Sequence, residues 1–420
     1  MKAQDEVVII GGGIGGLTLA LALHRQGIPF RVYEAVAEIK PLGVGLNLLP
    51  HAMCELSELG LEEVLRSKGI ATREYCFFTH GGQLVQQEPR GQFAGYEFPQ
   101  IAIHRGDLHL ALLDAVRARA GADAVVTGHR CVAVEQDGEA AIVHFVDGST
   151  GAPLPAVRGR VAVACDGVNS AVRKQMHPKE AIPRYEGTLQ YRGTTQWKPY
   201  LTGATHFYMG TNETGKLVMY PIRDNIDGQG TQLVNWVIEV SRPAEQLQRD
   251  WNRRADIEDF IAHFEHAAFE WLDIPALMRA AEAVYEYPMI DQDPLPFWSQ
   301  GRVTLLGDAA HPMMPRGSNG SAHAILDATT LAALLAQHTD PVDALRQYEA
   351  RRLPATSDVV LANRDIAPDA ILRVVHERTG GQPFARIEDV ISAQELEQWQ
   401  SRYKKVAGFS KEDVRRRVAA

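Results

Sequence analysis

The sequence contains little cysteine and no long hydrophobic run, and each shortage excludes a class of protein. Only four of the 420 residues are cysteines. They are scattered without a C-x-x-C pair, so we expect neither a disulfide framework nor a zinc knuckle. The N-terminal apolar run stops at glycines, unlike a signal peptide, and no apolar stretch approaches the ~20 residues needed to cross a bilayer. We therefore expect a cytoplasmic protein with no membrane partner.

An excess of positive charge is also absent. The formal net charge is −9, which argues against nucleic acid as a partner. His311 and His323 have no acidic residue at a metal-ligand spacing, so we expect no metal. Hydrophobic residues make up 45% of the chain and charged residues 23%, as in ordinary globular proteins. The length predicts two or three domains, or one large domain with an insertion.

The strongest local pattern occupies the first 34 residues. The apolar run Val7–Ile10 predicts a buried strand, and a glycine turn, an apolar helix and a second strand follow it. Gly11, Gly13 and Gly16 fit G-x-G-x-x-G, in which glycines permit a tight turn, a close approach to a pyrophosphate and close helix packing. Glu34 ends the second strand, where it can accept hydrogen bonds from ribose hydroxyls but would repel a 2′-phosphate. The pattern therefore predicts FAD or NAD rather than NADP, held by Gly11, Gly13, Ile14, Gly15, Gly16 and Glu34.

Later segments indicate how the chain divides. A β-meander is predicted over 124–165 and a second β-rich block over 185–240, with helical patterns over 255–283. A strand, glycine turn and helix then return near 302–335. The predicted fold is α/β, a Rossmann-like nucleotide-binding domain split by a β-sheet substrate domain, with C-terminal helices. The predicted parts are 1–180 and 291–375 for the nucleotide-binding domain, 181–290 for the β-rich substrate domain, and 376–420 for a tail of surface helices.

Two further motifs follow predicted strands and begin helices. The first is Asp166-Gly167 with Ser170 and Arg173 downstream, and the second is Gly307-Asp308-Ala309-Ala310-His311-Pro312. Taken alone, each Asp has a second interpretation as a simple helix cap.

Together with the glycine turn, these motifs resemble the three fingerprints of the single-component flavin monooxygenases, the group A aromatic hydroxylases. The resemblance extends from about residue 6 to residue 365. Further stretches are similar to phenazine-hydroxylating members of the family, although this chain has Ser318-Asn319-Gly320 where many relatives have Gly-Gln-Gly. These stretches are 41–47, 104–109, 233–237, 287–289, 293–296 and 317–320.

The resemblance implies a specific chemistry. The family uses non-covalent FAD, NADH or NADPH and O₂, and it hydroxylates an aromatic or heteroaromatic small molecule through a flavin C4a-hydroperoxide. By resemblance, Arg105, Asp166 and Asp308 would hold the FAD, and the loop from Gly317 to Gly320 would lie beside its isoalloxazine ring. The residues that the resemblance places at the cofactor are Gly45, Arg105, Asp166, Gly307, Asp308, Gly317, Ser318, Asn319 and Gly320.

The substrate pocket is less well marked in the sequence. We expect its wall in the second β block and the Pro315 loop, with candidates Tyr191, Arg192, Tyr220, Met314 and Pro315. Each tyrosine has an alternative as a core aromatic, and Arg192 has one as a structural residue, although it can also anchor a carboxylate. Tyr220 and His51 are the candidate catalytic side chains, with a surface histidine at a helix start as the alternative for His51.

Other functions on the same fold stay open at this point. One is a flavin halogenase or dehydrogenase, although no W-x-W-x-I-P segment is present. Another is a non-catalytic protein that sequesters FAD or an aromatic ligand. We expect a monomer or a homodimer.

Overall fold

The computed structural model describes residues 6–41, 43–181, 183–242, 253–365 and 369–418. The strands are β1 Val7–Ile10, β2 Phe30–Tyr33, β3 Gly45–Leu48, β4 Ile70–Ala71, β5 Glu74–Phe78, β6 Leu84–Pro89, β7 Ile101–His104, β8 Val125–Val126, β9 His129–Gln136, β10 Ala141–Asp147, β11 Val157–Gly159, β12 Val161–Ala164, β13 Arg184–Trp197, β14 Thr205–Met209, β15 Lys216–Arg223, β16 Gln232–Ser241, β17 Ala268–Phe269, β18 Leu272–Asp273, β19 Val284–Asp291, β20 Ser299–Gln300 and β21 Val303–Leu305. The helices are α1 Ile14–Arg25, α2 Pro50–Glu58, α3 Glu62–Lys68, α4 Arg105–Ala120, α5 Ala171–Met176, α6 Ile274–Arg279, α7 Gly320–Gln337, α8 Pro341–Asp365, α9 Ala370–Thr379, α10 Ala393–Val406 and α11 Lys411–Val418.

A six-stranded, largely parallel sheet brings the three sequence motifs to one edge. Its strand order is β20-β21-β12-β1-β2-β8. The central strands β1 and β12 are buried along their whole length, as expected for parallel strands that are covered on both faces. Because β1, β12 and β21 run parallel, the residues that follow them meet at the carboxyl edge of the sheet. The Rossmann-like α/β fold predicted from the sequence is confirmed.

A seven-stranded sheet faces the first one. Its order is β19-β13-β16-β15-β14-β5-β6, so two of its strands come from residues 74–89, ahead of the second β block. Successive side chains of a strand point to opposite faces. One face carries a core that contains Leu217, Met219 and Trp236, and the other face borders the internal cavities described below.

The C-terminal segment packs into the body of the protein. Tyr403, Phe409 and Val414 are each 2% exposed, and α9 and α10 cover aromatic residues of β5 and β14. Most other residues beyond 376 are exposed or half-exposed, so these helices lie at the surface and dock through a few apolar residues at helical spacing. None of the described helices is long and apolar enough to cross a membrane.

Candidate active site

The glycine turn between β1 and α1 adopts the conformation that its residue types permit. Gly11 has φ 103°, and a Cβ there would overlap the carbonyl oxygen of Cys165. A Cβ on Gly16 would overlap the carbonyl oxygen of Gly11, so α1 can approach the turn only because this residue is glycine. Gly13 is different, since a Cβ there would meet no atom within 4 Å. Open space beside the N-terminus of α1 suits an anionic group.

Glu34 shapes this turn from the end of β2. Its Oε2 accepts a hydrogen bond from the amide of Gly12 at 2.7 Å, and its Oε1 accepts one from the amide of Val36 at 3.0 Å. On the other side of the turn, His109 Nε2 lies 2.5 Å from the carbonyl oxygen of Gly12. The turn is thus held by side chains from β2 and α4.

A cleft of about 660 Å³ runs along this edge of the parallel sheet, which is within the usual size of ligand pockets. Its wall includes Gly13, Glu34, Arg105 and Asp166. The Oδ2 of Asp166 accepts a hydrogen bond from the amide of Ala171 at 2.9 Å, while its buried Oδ1 has no partner within the described ranges. Burial raises the pKa of Asp166. An unpaired oxygen in the wall and open space at Gly13 are what a dinucleotide needs, so the residues present fit such a group.

Two smaller cavities lie between the seven-stranded sheet and the loop that follows β21. The first has a volume of about 200 Å³, and its wall includes Gln190, Arg192, Asp308, Met313 and Pro315. The second has a volume of about 60 Å³, and it shares Gln190, Arg192 and Pro315 with the first. The second cavity is closed by His206 and Tyr220 from the sheet and by Gly317 and Ser318 from the loop. Arg192 therefore stands at the boundary of the two spaces.

Arg192 is half-buried and incompletely paired. Its Nη2 donates to the carbonyl oxygen of Gly45 at 3.2 Å, and its Nε has no partner in the part of the chain that the structure describes. Burial lowers the pKa of the guanidinium below its usual value, but an arginine remains charged at any physiological pH. A half-buried cation with a buried, unused donor is a site for an anionic or polar group of a ligand.

The second cavity, of about 60 Å³, is called the inner cavity from here on, and Tyr220 borders it. The Tyr220 side chain is a neutral phenol. Its ring centroid lies 4.0 Å from that of His206. Burial raises the pKa of Tyr220 to about 12, although the charge of Arg192 opposes this shift. The hydroxyl therefore carries its proton near neutral pH and can donate a hydrogen bond, but it cannot act as a base there.

The comparison with known proteins shows the family to which the chain belongs. A family model described as "FAD binding domain" matches residues 4–363. The chain belongs to this FAD-binding family. It is 41% identical over 393 residues to phenazine 1,6-dicarboxylic acid hydroxylase PhzS from Lysobacter antibioticus, a match that covers 93% of this chain and 96% of that protein. It is also 31% identical over 373 residues to 3-hydroxybenzoate 6-hydroxylase from Polaromonas naphthalenivorans (strain CJ2), covering 87% and 88% of the two chains.

The fold comparison agrees with this membership. A solved salicylate hydroxylase in complex with substrate superposes with a TM-score of 0.74 and 23% identity, covering 99% of this chain and 98% of the other. The expected family, the single-component FAD-dependent monooxygenases that use NAD(P)H and O₂, is confirmed. The protein is an oxidoreductase.

Several predicted cofactor residues of this FAD-dependent monooxygenase lie apart from the cleft. Gly45 is packed against Asn235 and Ile222 of the seven-stranded sheet, and Gly307 is buried against Ala324. Asp308 is exposed and borders the 200 Å³ cavity instead, close to Gly320, where a Cβ would lie 4.0 Å from its Oδ1. The predicted cofactor residues are thus distributed over the large cleft, the two smaller cavities and packed positions that border none of them.

Two predicted pocket residues of the enzyme do not reach a cavity wall. Tyr191 is 1% exposed and packs in the core, with its ring centroid 4.7 Å from that of Phe260. Its neighbour Arg192 points to the opposite face, so the placement of Tyr191 in the pocket is wrong and its alternative as a core aromatic is correct. Met314 is buried as well, and its carbonyl oxygen accepts a hydrogen bond from Asn363 Nδ2. The cavity is bordered by Met313 in its place.

His51 lies in the interior at the start of α2. It is fully buried, and its ring centroid is 5.5 Å from that of Phe409 and 5.9 Å from that of His323. Burial lowers the pKa of His51 well below its usual range, and the charges of Arg417 and Arg352 act in the same direction. It borders none of the cavities described above, so its position gives no support to a role as base. The alternative of a surface histidine is also wrong.

The loop before α7 meets the inner cavity through its backbone. Gly317 and Ser318 both have left-handed backbone conformations, with φ 64° and 60°, and both border the inner cavity. The side chain of Asn319 turns away from that cavity and donates to the hydroxyl of Tyr403 at 2.6 Å. The groups available to a ligand are therefore the unpaired backbone amides at the N-terminus of α7, and not the Asn319 side chain.

The structure also reveals site residues that the sequence analysis missed. His109 is four residues after Arg105 on α4, and this spacing places both on one helix face. Gln190 is two residues before Arg192 on β13, which places both on one strand face. Each could have been found from its spacing to a residue already chosen.

No cluster of three or more potential metal-ligating side chains occurs among the residues that the structure describes.

Proposed function

We propose that this monooxygenase hydroxylates a planar, carboxylated heteroaromatic compound of the phenazine class, with NADH or NADPH as reductant. The proposal rests on the position and the unused donor of Arg192. Arg192 is a half-buried cation whose buried Nε is unpaired within the described residues, at the boundary of two cavities next to the Pro315 loop. Support also comes from two relatives, one named for phenazine 1,6-dicarboxylic acid and one for 3-hydroxybenzoate, since both compounds are carboxylic acids.

Each described group has a separate task in this proposal. Arg192 pairs with the carboxylate and fixes the orientation of the ring, because a charge-assisted hydrogen bond is stronger and more directional than a neutral one. Met313 and Pro315 cover the ring and exclude water from it. Tyr220 donates a hydrogen bond from its neutral hydroxyl to a ring substituent.

Bound FAD supplies the redox chemistry, by accepting a hydride from the nicotinamide and activating O₂. Glu34, Asp166 and the amides at the start of α1 would hold its adenosine and pyrophosphate parts, and Arg105 and His109 would line the opposite wall of the same cleft. In this arrangement the protein binds and orients the reactants, and few side chains take part in the chemistry.

The test is a measurement of NADH and NADPH oxidation with phenazine-1,6-dicarboxylate, 3-hydroxybenzoate and unsubstituted phenazine. We expect the carboxylated phenazine to stimulate oxidation most strongly and to yield a product with one added oxygen by mass spectrometry. Oxidation without an oxygenated product from any compound would contradict the proposal.

Arg192→Gln tests the anchor directly. A hydrogen bond to a charged group contributes about 1.5–3 kcal/mol, so we expect KM for the carboxylated compounds to rise about tenfold or more. Arg192→Lys should recover part of this loss because it retains the charge. The exposed Arg351→Gln is the matched control. An equal rise in KM for unsubstituted phenazine would show that Arg192 does not bind the carboxylate.

We also propose a reducing, cytoplasmic compartment, because Cys54, Cys76, Cys131 and Cys165 are all unpaired. A monomer or a homodimer remains our proposal for the assembly.

A further inference from the structure

The C-terminal helix α10 reaches the loop that borders the inner cavity through one side chain. Tyr403 is 2% exposed, and it lies 40 residues beyond Asn363, which is the last residue of the family match. Its hydroxyl accepts a hydrogen bond from Asn319 Nδ2 at 2.6 Å and donates one to Asn363 Oδ1 at 2.7 Å. A single hydroxyl therefore connects α10, the end of α8 and the start of α7.

The shape of the loop depends on this contact. Gly317 has φ 64°, and a Cβ there would overlap the hydroxyl and the ring of Tyr403. Ser318 also has a left-handed conformation, with φ 60°, which a residue with a side chain adopts only when its surroundings hold it there. The Ser318 hydroxyl receives one contact, from Asn47 Nδ2 at 3.4 Å. Tyr403 therefore packs directly against Gly317, while Arg316, the residue before it, is paired with Glu186 at 2.7 Å.

The same group of residues controls the segment on both sides of the loop. Asn363 Nδ2 donates to the carbonyl oxygen of Met314 at 3.2 Å, so the hydroxyl of Tyr403 fixes the Asn363 carboxamide that holds Met314. At the other end, Asn319 precedes the first residue of α7, and its carbonyl oxygen accepts from the amide of His323 at 2.8 Å. The loop is thus held at Met314, Gly317 and Asn319 by groups that converge on one phenol.

We propose that Tyr403 is a positioning residue that sets the Met314–Gly320 loop against the flavin ring, so that the C-terminal segment completes the active site. This inference rests on the proposed function and on the family resemblance, which implies that the loop from Gly317 to Gly320 lies beside the isoalloxazine ring. Tyr403 borders neither cavity and acts through Gly317 and Asn319. Loss of its hydroxyl leaves Asn319 Nδ2 and Asn363 Oδ1 buried without partners, and the loop gains conformations that the native packing excludes.

A purely structural interpretation assigns Tyr403 only to the docking of the tail. Tyr96 offers a matched control, because its hydroxyl donates to the carbonyl oxygen of Phe409 at 2.9 Å and holds the same tail without contact to the loop. Tyr96→Phe and Tyr403→Phe each remove one hydroxyl from the tail docking, but only Tyr403→Phe should affect the loop.

The first experiment compares these variants by hydrogen–deuterium exchange of the FAD-free full chain and by FAD titration. For Tyr403→Phe we expect faster exchange over residues 314–320, a rise of about fivefold to tenfold in the FAD dissociation constant, which is the usual size for one buried hydrogen bond, and a shifted flavin reduction potential. Tyr96→Phe should leave exchange over 314–320 and the flavin potential unchanged. Identical behaviour of the two variants in all three measurements would overturn the inference.

The second experiment is a double-mutant cycle between Gly317 and Tyr403. Gly317→Ala should weaken FAD binding strongly in the native background, where its Cβ meets Tyr403, and clearly less in a Tyr403→Ala background, where space is available. The backbone cost at φ 64° is the same in both backgrounds and cancels. Additive effects would overturn the inference. Because both experiments use FAD binding and exchange, they decide the role of Tyr403 even if no aromatic compound is hydroxylated.

Discussion

The side-chain oxygen of Asn235 accepts a hydrogen bond from the backbone amide of Gly45 at 2.8 Å. This bond connects β3, a strand of the three-stranded sheet β3-β7-β4, with β16 in the interior of the seven-stranded sheet. Arg192 donates to the carbonyl oxygen of the same Gly45 at 3.2 Å. The amide and the carbonyl of Gly45 are therefore both bound by side chains of the seven-stranded sheet, and Arg192 also borders the two smaller cavities.

The contact predicts a strong effect of Gly45→Ala. A Cβ at this position would lie 2.8 Å from the side chains of Asn235 and Ile222, which is closer than packed atoms approach. We expect a loss of about 1–3 kcal/mol in the free energy of unfolding, the usual cost of overpacking, measured by urea denaturation. Gly81→Ala is the control, because its nearest neighbour is 3.8 Å from the added Cβ. Equal stability of the two variants would show that the sheets can separate without cost.

Glu34→Ala should weaken the binding of FAD more than that of riboflavin phosphate. Glu34 borders the cleft and is expected at the adenosine ribose, which only FAD contains. Loss of a charged hydrogen bond costs roughly 1.5–3 kcal/mol. Fluorescence titration of both flavins measures the effect, with the exposed Glu63→Ala as control. A smaller and equal weakening for both ligands is the expected result if Glu34 acts only by holding the Gly12 amide.

Tyr220→Phe and Tyr191→Phe test which face of the seven-stranded sheet contacts the substrate. Tyr220 borders the inner cavity, and Tyr191 lies in the core on the other face. Removal of the Tyr220 hydroxyl should raise KM for the aromatic substrate about fivefold, as for one lost hydrogen bond of ~1 kcal/mol, whereas Tyr191→Phe should leave KM unchanged. Steady-state kinetics on both variants would contradict this assignment if Tyr191→Phe had the larger effect on KM.

His51 predicts how the stability of the protein changes in mild acid. Burial lowers the pKa of His51 well below its usual value of 6.5 in the folded state, so below about pH 6.5 the unfolded chain binds a proton that the folded chain does not. The stability that depends on neutral His51 is complete above that pH and is lost as the pH falls, by up to about 1.4 kcal/mol per pH unit.

The measurement is urea denaturation of the wild type and of His51→Leu at pH 7.5 and pH 5.5. We expect a smaller loss of stability on acidification in the variant than in the wild type. The exposed His24→Gln is the control and should keep the wild-type difference. An unchanged difference in His51→Leu would mean that His51 titrates alike in the folded and unfolded chains.

The sequence by itself determined the fold and the class of reaction. Gly11 is required by its left-handed backbone and Gly16 by the close approach of α1 to the turn, and Glu34 follows at the distance set by one helix and one strand. The strands that precede Asp166 and Asp308 are short apolar runs that can only be buried in a parallel sheet. These features depend on residues close together in the chain, and they were therefore predictable.

Only the tertiary structure decided which side chains meet in the inner cavities. The face of the seven-stranded sheet to which Tyr191 and Arg192 each point depends on the register of β13 between β16 and β19. A shift of one residue would move each side chain to the opposite face. The same holds for Met313 and Met314 in the loop, whose orientation is fixed by Asn363. The contact between Gly317 and Tyr403 joins residues 86 positions apart, and no local pattern encodes it. Local backbone rules thus specify the glycine turn and the carboxyl edge of the parallel sheet, whereas the inner cavities and the docking of the C-terminal helices result from packing between distant segments.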